Sequence, residues 1–301
     1  MSYDFYADFW DDRRCGANFR GIDEGYKSGK VYSKIKLAAL HLNTLNNKNW
    51  AKKNKYTPYI KSDYISNVIV PENERMERLN IKEPNLSISA LLQYSAFIKI
   101  NFKLKKPYIS RDDEEFYIID NPVSKEKVFK VPYVRASSWK GNLRWVMGDV
   151  MKVDTDITKR ICGNDRNESE DKELKRGRLQ FYPTFFNKIG LDVINPHDRK
   201  TKTGKNPILY EVVPDGASGT FSLLYVPFDL IGNEKELKKQ VHEDLEVISD
   251  AVEKLLTVYG FSAKKTSGYG IAELKDKFFD INCPESEKKE FKKIISNAIK
   301  I

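Results

Sequence analysis

The sequence predicts an α+β fold: a modified ferredoxin-like (RRM-like) core with insertions and an N-terminal extension. Three observations carry this expectation. Residues 96–104 alternate like a half-buried strand. Residues 234–256 repeat apolar side chains at helical spacing. A second helical repeat follows Ser137, and strand-like runs fill the intervals. The resulting order is strand, helix, strands, helix, strand. Such a sheet is a common platform for single-stranded RNA.

The first strand is the clearest element. Ala96, Ile98, Ile100, Phe102 and Leu104 share one side, with Lys99, Asn101 and Lys103 on the other. A charged loop, SRDDEEF, follows, then the short apolar run YIIDNPV, broken at Pro122. VFKVPYV (128–134) reads as a further extended run. Next, RASSWKGNLRWVMGDVMKV reads as a helix, with Ser137 or Ser138 as its cap and Leu143, Val146, Met147 and Val150 repeating inside it. GNDRNESEDKELKRGR (163–178) is almost wholly polar and reads as an exposed loop. RLQFYPTFF, PILYEVVP and TFSLLYVPFDL read as strands. Leu237, Val241, Leu245, Ile248, Val252 and Leu255 mark the long helix. KKTSGYGIAEL is a glycine turn entering the last strand.

Residues 1–90 stand apart as a partly helical extension, and 91–301 as the main domain. The extension opens acidic and aromatic (Tyr3, Phe5, Tyr6, Phe9, Trp10). Ile35, Leu37, Ala38, Leu40, His41, Leu42 and Leu45 then recur at a rough helical period. The basic stretch NKNWAKKNKYTPYIK follows and reads as loop around Pro58.

Composition narrows the function classes. The 301 residues are 40% hydrophobic and 12% aromatic, which fits a packed chain rather than a disordered one. The 52 Lys and Arg exceed the 43 Asp and Glu by nine. Net positive charge favours a polyanionic partner, and rings can stack on unpaired bases. Cys15, Cys162 and Cys283 are scattered and form no CxxC pair, which argues against structural zinc and a disulfide framework. MSYDFYADFWDDRR lacks the basic-then-apolar order of a signal peptide, and no apolar run reaches the length of a membrane span. The expectation is a soluble cytoplasmic chain with no membrane partner.

Four segments carry chemistry. In Ser137-Ser138-Trp139-Lys140-Gly141-Asn142-Leu143-Arg144, hydroxyls and N–H groups gather at a helix start, where a phosphate can be held. Lys140 and Arg144 are one turn apart and share a face. An ordinary capped helix with a solvated basic face accounts for the same residues. In Ser262-Ala263-Lys264-Lys265-Thr266-Ser267-Gly268-Tyr269-Gly270, two glycines let backbone approach a ligand, while the lysines add charge and Tyr269 a ring. A tight turn between helix and strand is the plainer account. Asp120, ahead of Asn121-Pro122, can hold a metal ion or move a proton, or can simply form an Asx turn. His197, in Asn195-Pro196-His197, has no fixed carboxylate partner and reads as structural.

Taken in order, these segments are more specific than any one of them. VPYVRASSWKGNLR resembles the proline, double-serine, lysine–glycine, arginine signature of RAMP (repeat-associated mysterious protein) backbone subunits, with Arg135-Ala136 where the family usually has Pro-Gly. IIDNPV resembles the loop carrying the RNA-cleaving aspartate of the target-slicing members. RICGND with RGRLQFY, EVVPDGASGTFSLLY and TSGYG resemble the later family passages, Cys162 standing for a phenylalanine. The resemblance spans roughly residues 91–275. LDVINPHDRKTKTGKNPILYEVVP is most similar to the subunit near the head of type III-B complexes, whereas IIDNPV is more similar to the repeating slicer.

The resemblance implies an RNA-binding subunit of a type III CRISPR interference complex. Its partners are then CRISPR RNA, target RNA, and the other RAMP and large subunits. Implied RNA contacts are Ser137, Ser138, Lys140, Gly141, Arg144, Lys264, Lys265, Gly268, Tyr269 and Gly270. Asp120 is the implied catalytic residue and metal ligand for target cleavage, with Mg2+ or Mn2+ and attack by the RNA's own 2′-hydroxyl. Two other readings stay open: a purely structural RAMP subunit, and an endoribonuclease that processes the CRISPR transcript. The last usually needs histidine chemistry, and the chain has only His41, His197 and His242.

Overall fold

A computed structural model describes residues 62–111, 121–164, 175–195 and 207–300. The N-terminal readings up to Lys61, Asp120, His197 and the centre of the polar 163–178 stretch lie outside the described residues. In chain order the main elements are α1 (Val70–Arg78), β1 (Ala96–Leu104), β2 (Tyr133–Val134), α2 (Ala136–Trp145), α3 (Thr155–Cys162), β3 (Leu179–Phe181) and β4 (Thr184–Phe185). Then come β5 (Gly190–Ile194), β6 (Ile208–Val212), β7 (Ser218–Tyr225), α4 (Glu234–Lys254), β8 (Ala272–Ile281) and α5 (Glu285–Ala298). The chain divides into two units. The described residues of one come from 75–109, 133–186 and 214–300, and those of the other from 62–74, 110–132 and 187–213.

The first unit is built on a four-stranded antiparallel sheet in the order β3-β7-β1-β8. Its inner face carries the predicted β1 stripe: Ala96, Ile98, Ile100, Phe102 and Leu104 are all buried. Val241, Leu245, Ile248 and Val252 of α4 and Leu255 just after it are buried too, as are Leu143, Val146 and Met147 in and just after α2. Trp139 is the largest fully buried side chain. It meets Phe221 and Phe261 at 4.9 and 4.5 Å between ring centroids, and its indole N–H donates to Thr184 Oγ1 at 3.1 Å. Gly219 makes room for this cluster, since a Cβ there would lie 2.8 Å from Phe102.

The outer face differs from the open RNA platform that the sequence suggests. Residues 83–91 run across it. Glu83 pairs with Lys99 and accepts from Thr220 Oγ1 at 3.2 Å. Ile88 is buried with Phe97 and Leu224, with Leu86, Leu91 and Tyr182 packed around them. Burying those side chains removes apolar surface from water, so the chain itself takes the place a base would stack on.

A buried polar network joins β7, α4 and the segment entering β3. Arg178 donates to both oxygens of Asp229 (2.7 and 2.6 Å), to Asp244 Oδ2 (2.8 Å) and to Gln240 Oε1 (2.8 Å). Asp244 also accepts from Tyr225 (2.7 Å) and from Arg160 Nε (2.7 Å). Burial alone weakens the Arg178 charge, but Asp229, Tyr225 and Asp244 outweigh it and hold the guanidinium firmly protonated.

The second unit holds the β5–β6 hairpin, registered from Gly190 opposite Val212 to Ile194 opposite Ile208. Residues 121–125 lie against β6. Here the expected extended run VFKVPYV is broken. Glu126 Oε2 accepts from the N–H groups of Val128 and Phe129 at 2.7 Å each, and Lys130 adopts φ 58°. That local carboxylate competes with a ladder for the backbone donors and makes a turn instead.

Candidate nucleic-acid interface

Helix α2 presents two unlike faces. Trp139 and Leu143 point into the core, while Ser137, Lys140 and Gly141 are exposed on the opposite side. The spacing 137, 140, 141, 144 places these residues on one stripe. The serine cap expected from the sequence is not made. Arg135 occupies the N-cap position with extended backbone (φ −66°, ψ 145°) and no side-chain cap bond. Ser137 and Ser138 therefore lie inside the first turn. The carbonyl of Arg135 accepts from the N–H groups of Ser138 (3.0 Å) and Trp139 (3.1 Å), which leaves those of Ala136 and Ser137 at the open helix end.

Arg144 is half-buried and donates to the carbonyl of Gly163 at 3.0 Å. Burial pushes the thiol of neighbouring Cys162 up to about 11, although the charges of Arg144 and Lys140 act against that shift. Both cations thus lie close to the end of α3. Lys140 itself is exposed and makes no ion pair among the described residues.

Gly141 is informative. A Cβ built there meets nothing within 4 Å, and its backbone is ordinary helix. A helix-interior glycine costs about 1 kcal/mol relative to alanine. Nothing among the described residues requires that cost.

The turn after α4 folds beside this helix. Asn142 Nδ2 donates to Ser138 O (2.9 Å) and to Phe261 O (3.3 Å). The ammonium of Lys265 sits 4.1 Å from the ring centroid of Trp145, which packs edge-on against Tyr259 at 5.7 Å. Burial in that contact lowers the Lys265 pKa. Lys264 is exposed and left-handed (φ 58°), heading a short 3₁₀ turn, Lys265–Ser267, that Gly268 closes at φ 78°. The two glycines do different work. Gly268 has only Ile271 Cδ1 near, at 3.6 Å, so its surface side is open. A Cβ on Gly270 would meet Ser262 at 2.6 Å, so that glycine serves close packing of the chain on itself. Ser262 in turn locks residue 109: its hydroxyl accepts from Ile109 N (2.8 Å) and donates to Ile109 O (2.9 Å).

Sequence-predicted residues are therefore brought together in one place: α2, with Lys140, Gly141 and Arg144, and the 264–270 turn, with Lys265 against Trp145. Asp120 lies outside the described residues. Sequence reasoning gave no role of their own to Asn142, Trp145 and Tyr259, which join the two segments. Trp145 and Tyr259 had no periodic or motif signal of their own.

Residues 101–273 match the family model of the RAMP superfamily. The chain belongs to the RAMP superfamily. Over an alignment of 172 positions, which covers 50% of this chain and 73% of the relative, the chain is 33% identical to the CRISPR system Cms endoribonuclease Csm3 of Streptococcus thermophilus. Among solved structures, a chain of the type III-B Cmr-beta complex bound to cognate target RNA is similar in fold. The TM-score is 0.50 at 16% identity, covering 87% of this chain and 96% of that one. The RAMP match takes in α2, the 264–270 turn and the position of Asp120. No group of three or more His, Cys, Asp or Glu side chains able to hold a metal ion occurs among the described residues. No helix of the described residues is long and apolar enough to cross a membrane.

Proposed function

We propose that this chain is an RNA-binding subunit of a type III CRISPR interference complex and that it holds guide RNA on the exposed stripe of α2 and the 264–270 turn. One observation carries this reading. Within the RAMP match, exposed Lys140 and open Gly141 share a helix face that the fold does not use. A guide holder must grip backbone without reading bases, because pairing does the reading. A lysine beside an unshielded helix backbone suits that task. The β-α-β-β-α-β order and the strand order β3-β7-β1-β8 support a ferredoxin-like core within 91–301, extended by 1–90. We take the working location to be the cytoplasm and the partners to be other RAMP and large subunits.

Target cleavage at Asp120 is the second part of the proposal. It is supported by the IIDNPV resemblance and by the relative named as an endoribonuclease. Asp120 would accept the proton of the target's 2′-hydroxyl or hold a Mg2+ or Mn2+ ion. The 2′-oxygen bonds to phosphorus as the bond to the 5′-oxygen breaks and that oxygen takes a proton from water, leaving a cyclic phosphate and a 5′-hydroxyl. A divalent ion, if held by Asp120, would supply neutralisation of the charge on the scissile phosphate.

The guide-binding half is tested by Lys140→Ala combined with Arg144→Ala. Affinity of the full chain for guide RNA falls for unrelated guide sequences alike. The slope of log affinity against log salt drops by about 0.7 for each phosphate of the single strand that the variant no longer neutralises. An unchanged slope, or weakening confined to one sequence, contradicts the proposal.

A further inference from the structure

We propose that Trp145 and Tyr259 are positioning residues for guide RNA, holding the ammonium of Lys265 beside the open face of α2. The inference deepens the guide-binding reading and rests on it. Helices α2 and α4 end alike. Each runs into one wide turn, closed from Met151 N to Val146 O and from Gly260 N to Leu255 O, both at 2.9 Å and both five residues apart. Single π turns of this kind are uncommon and recur at functional sites. Trp145 stands just before the first and Tyr259 at the end of the second, and their rings meet edge-on at 5.7 Å between centroids. The Lys265 ammonium lies 4.1 Å from the Trp145 centroid. Trp145 follows Gly141 by one helical turn, so the ring that carries Lys265 borders the open glycine.

The base of the glycine turn is fixed while its tip stays at the surface. Gly270 N donates to Pro107 O at 2.8 Å, Ala263 N to Ile109 O at 3.1 Å, and Asn142 Nδ2 to Phe261 O at 3.3 Å. Ala263, Lys264, Thr266 and Ser267 are exposed. Lys265 is half-buried and makes no ion pair among the described residues. A lysine in solvent samples many rotamers, and pinning it on an RNA phosphate costs that freedom. An indole is the best π face for an ammonium, so the contact orders the side chain before RNA arrives. The ammonium keeps its charge there, with N–H donors on its far side for phosphate oxygens.

Guide-RNA affinity of the full chain, measured across a salt series, tests this. Lys265→Met is expected to lower affinity by about tenfold, the weight of one charge-assisted contact, and to lower the slope of log affinity against log salt by about 0.7. Trp145→Leu is expected to lower affinity by about fivefold, because the RNA itself must then order the lysine. It keeps the wild-type slope, because the charge still reaches the phosphate. The double variant Trp145→Leu/Lys265→Met is no weaker than Lys265→Met alone, since without the ammonium the ring has nothing to place. Trp145→Phe keeps a π face and restores most of the affinity. Tyr259→Leu, with and without Lys265→Met, repeats the cycle at the supporting ring with a smaller effect, and takes the place of Trp145→Leu should that variant not fold. Wild-type affinity in folded Trp145→Leu or in Lys265→Met overturns the inference. So do losses that multiply in the double variants, which would give the rings a route to RNA other than Lys265. Lys140→Ala/Arg144→Ala run alongside separates the two layers. If it binds guide like wild type, the guide-binding reading fails. If it is weakened while the Trp145 and Lys265 variants bind normally, only the positioning role fails.

Discussion

Asp120→Asn is expected to abolish cutting of target RNA at this subunit's position and to leave assembly and guide binding intact. Asparagine keeps the short polar side chain that makes an Asx turn, so a turn-forming aspartate would be replaced almost silently. It has no charge with which to bind a divalent ion and no basic oxygen with which to take a proton. The substitution therefore separates chemistry from architecture. It is measured on assembled complex with magnesium or manganese, by mapping products of a target paired to the guide. Undiminished product at the mapped site would remove Asp120 from the reaction and leave a guide-holding subunit without catalysis.

Arg178→Met is expected to lower the folding stability by up to about 3–5 kcal/mol, the cost of removing one partner of a buried ion pair, with Arg160 and Tyr225 left to moderate it. Arg178 is 2% exposed, and its partner Asp244 is fully buried. Removing the guanidinium takes away the bonds to Asp229, Gln240 and Asp244 together, so that Asp244 keeps Arg160 and Tyr225 as its partners. Replacing Arg178 and Asp244 together by apolar residues is expected to cost less than Arg178→Met alone, because no buried carboxylate is then left with one of its two guanidinium partners missing. Denaturant titration of the full chain and its variants measures both. Equal stability of Arg178→Met and wild type would mean that the network contributes nothing to the fold.

The parts of the fold that were legible obey a simple period. β1 alternates every second residue, and α4 repeats its apolar side chains every three or four, because each buries one face. Phe97 breaks the β1 pattern. It lies on the outer face yet is only 6% exposed, since Ile88 and Leu91 from the preceding segment cover it. No alternation rule anticipates that cover. Helix α3 escaped notice although Asp154 was a visible cap, its side chain accepting from Asp156 N at 2.7 Å. Helix α5 also escaped, although Phe291 and Ile295 stand one turn apart and are both buried.

The site was legible in outline only. The lysine–glycine helix and the glycine turn were found by resemblance, but the sequence did not say that Gly268 is open while Gly270 is packed. Nor did it pair Lys125 with Glu211, 86 positions away, or Arg178 with Asp244. Charged residues read as surface by default, and only the fold brings distant partners together in the interior.

The central claim, that RNA backbone lies against the open face of α2, is tested most directly by Gly141→Ala. A methyl group there meets no atom of the described chain, and alanine is the better helix former. The full-length variant is therefore as stable as wild type, or more stable by up to about 1 kcal/mol, in thermal or denaturant unfolding. Guide-RNA affinity, measured on the same preparation, falls, because the methyl occupies the space into which the RNA backbone approaches. Stability rising while affinity drops is the result the account predicts. Guide affinity equal to wild type in the stabilised variant contradicts it and moves the RNA off this face.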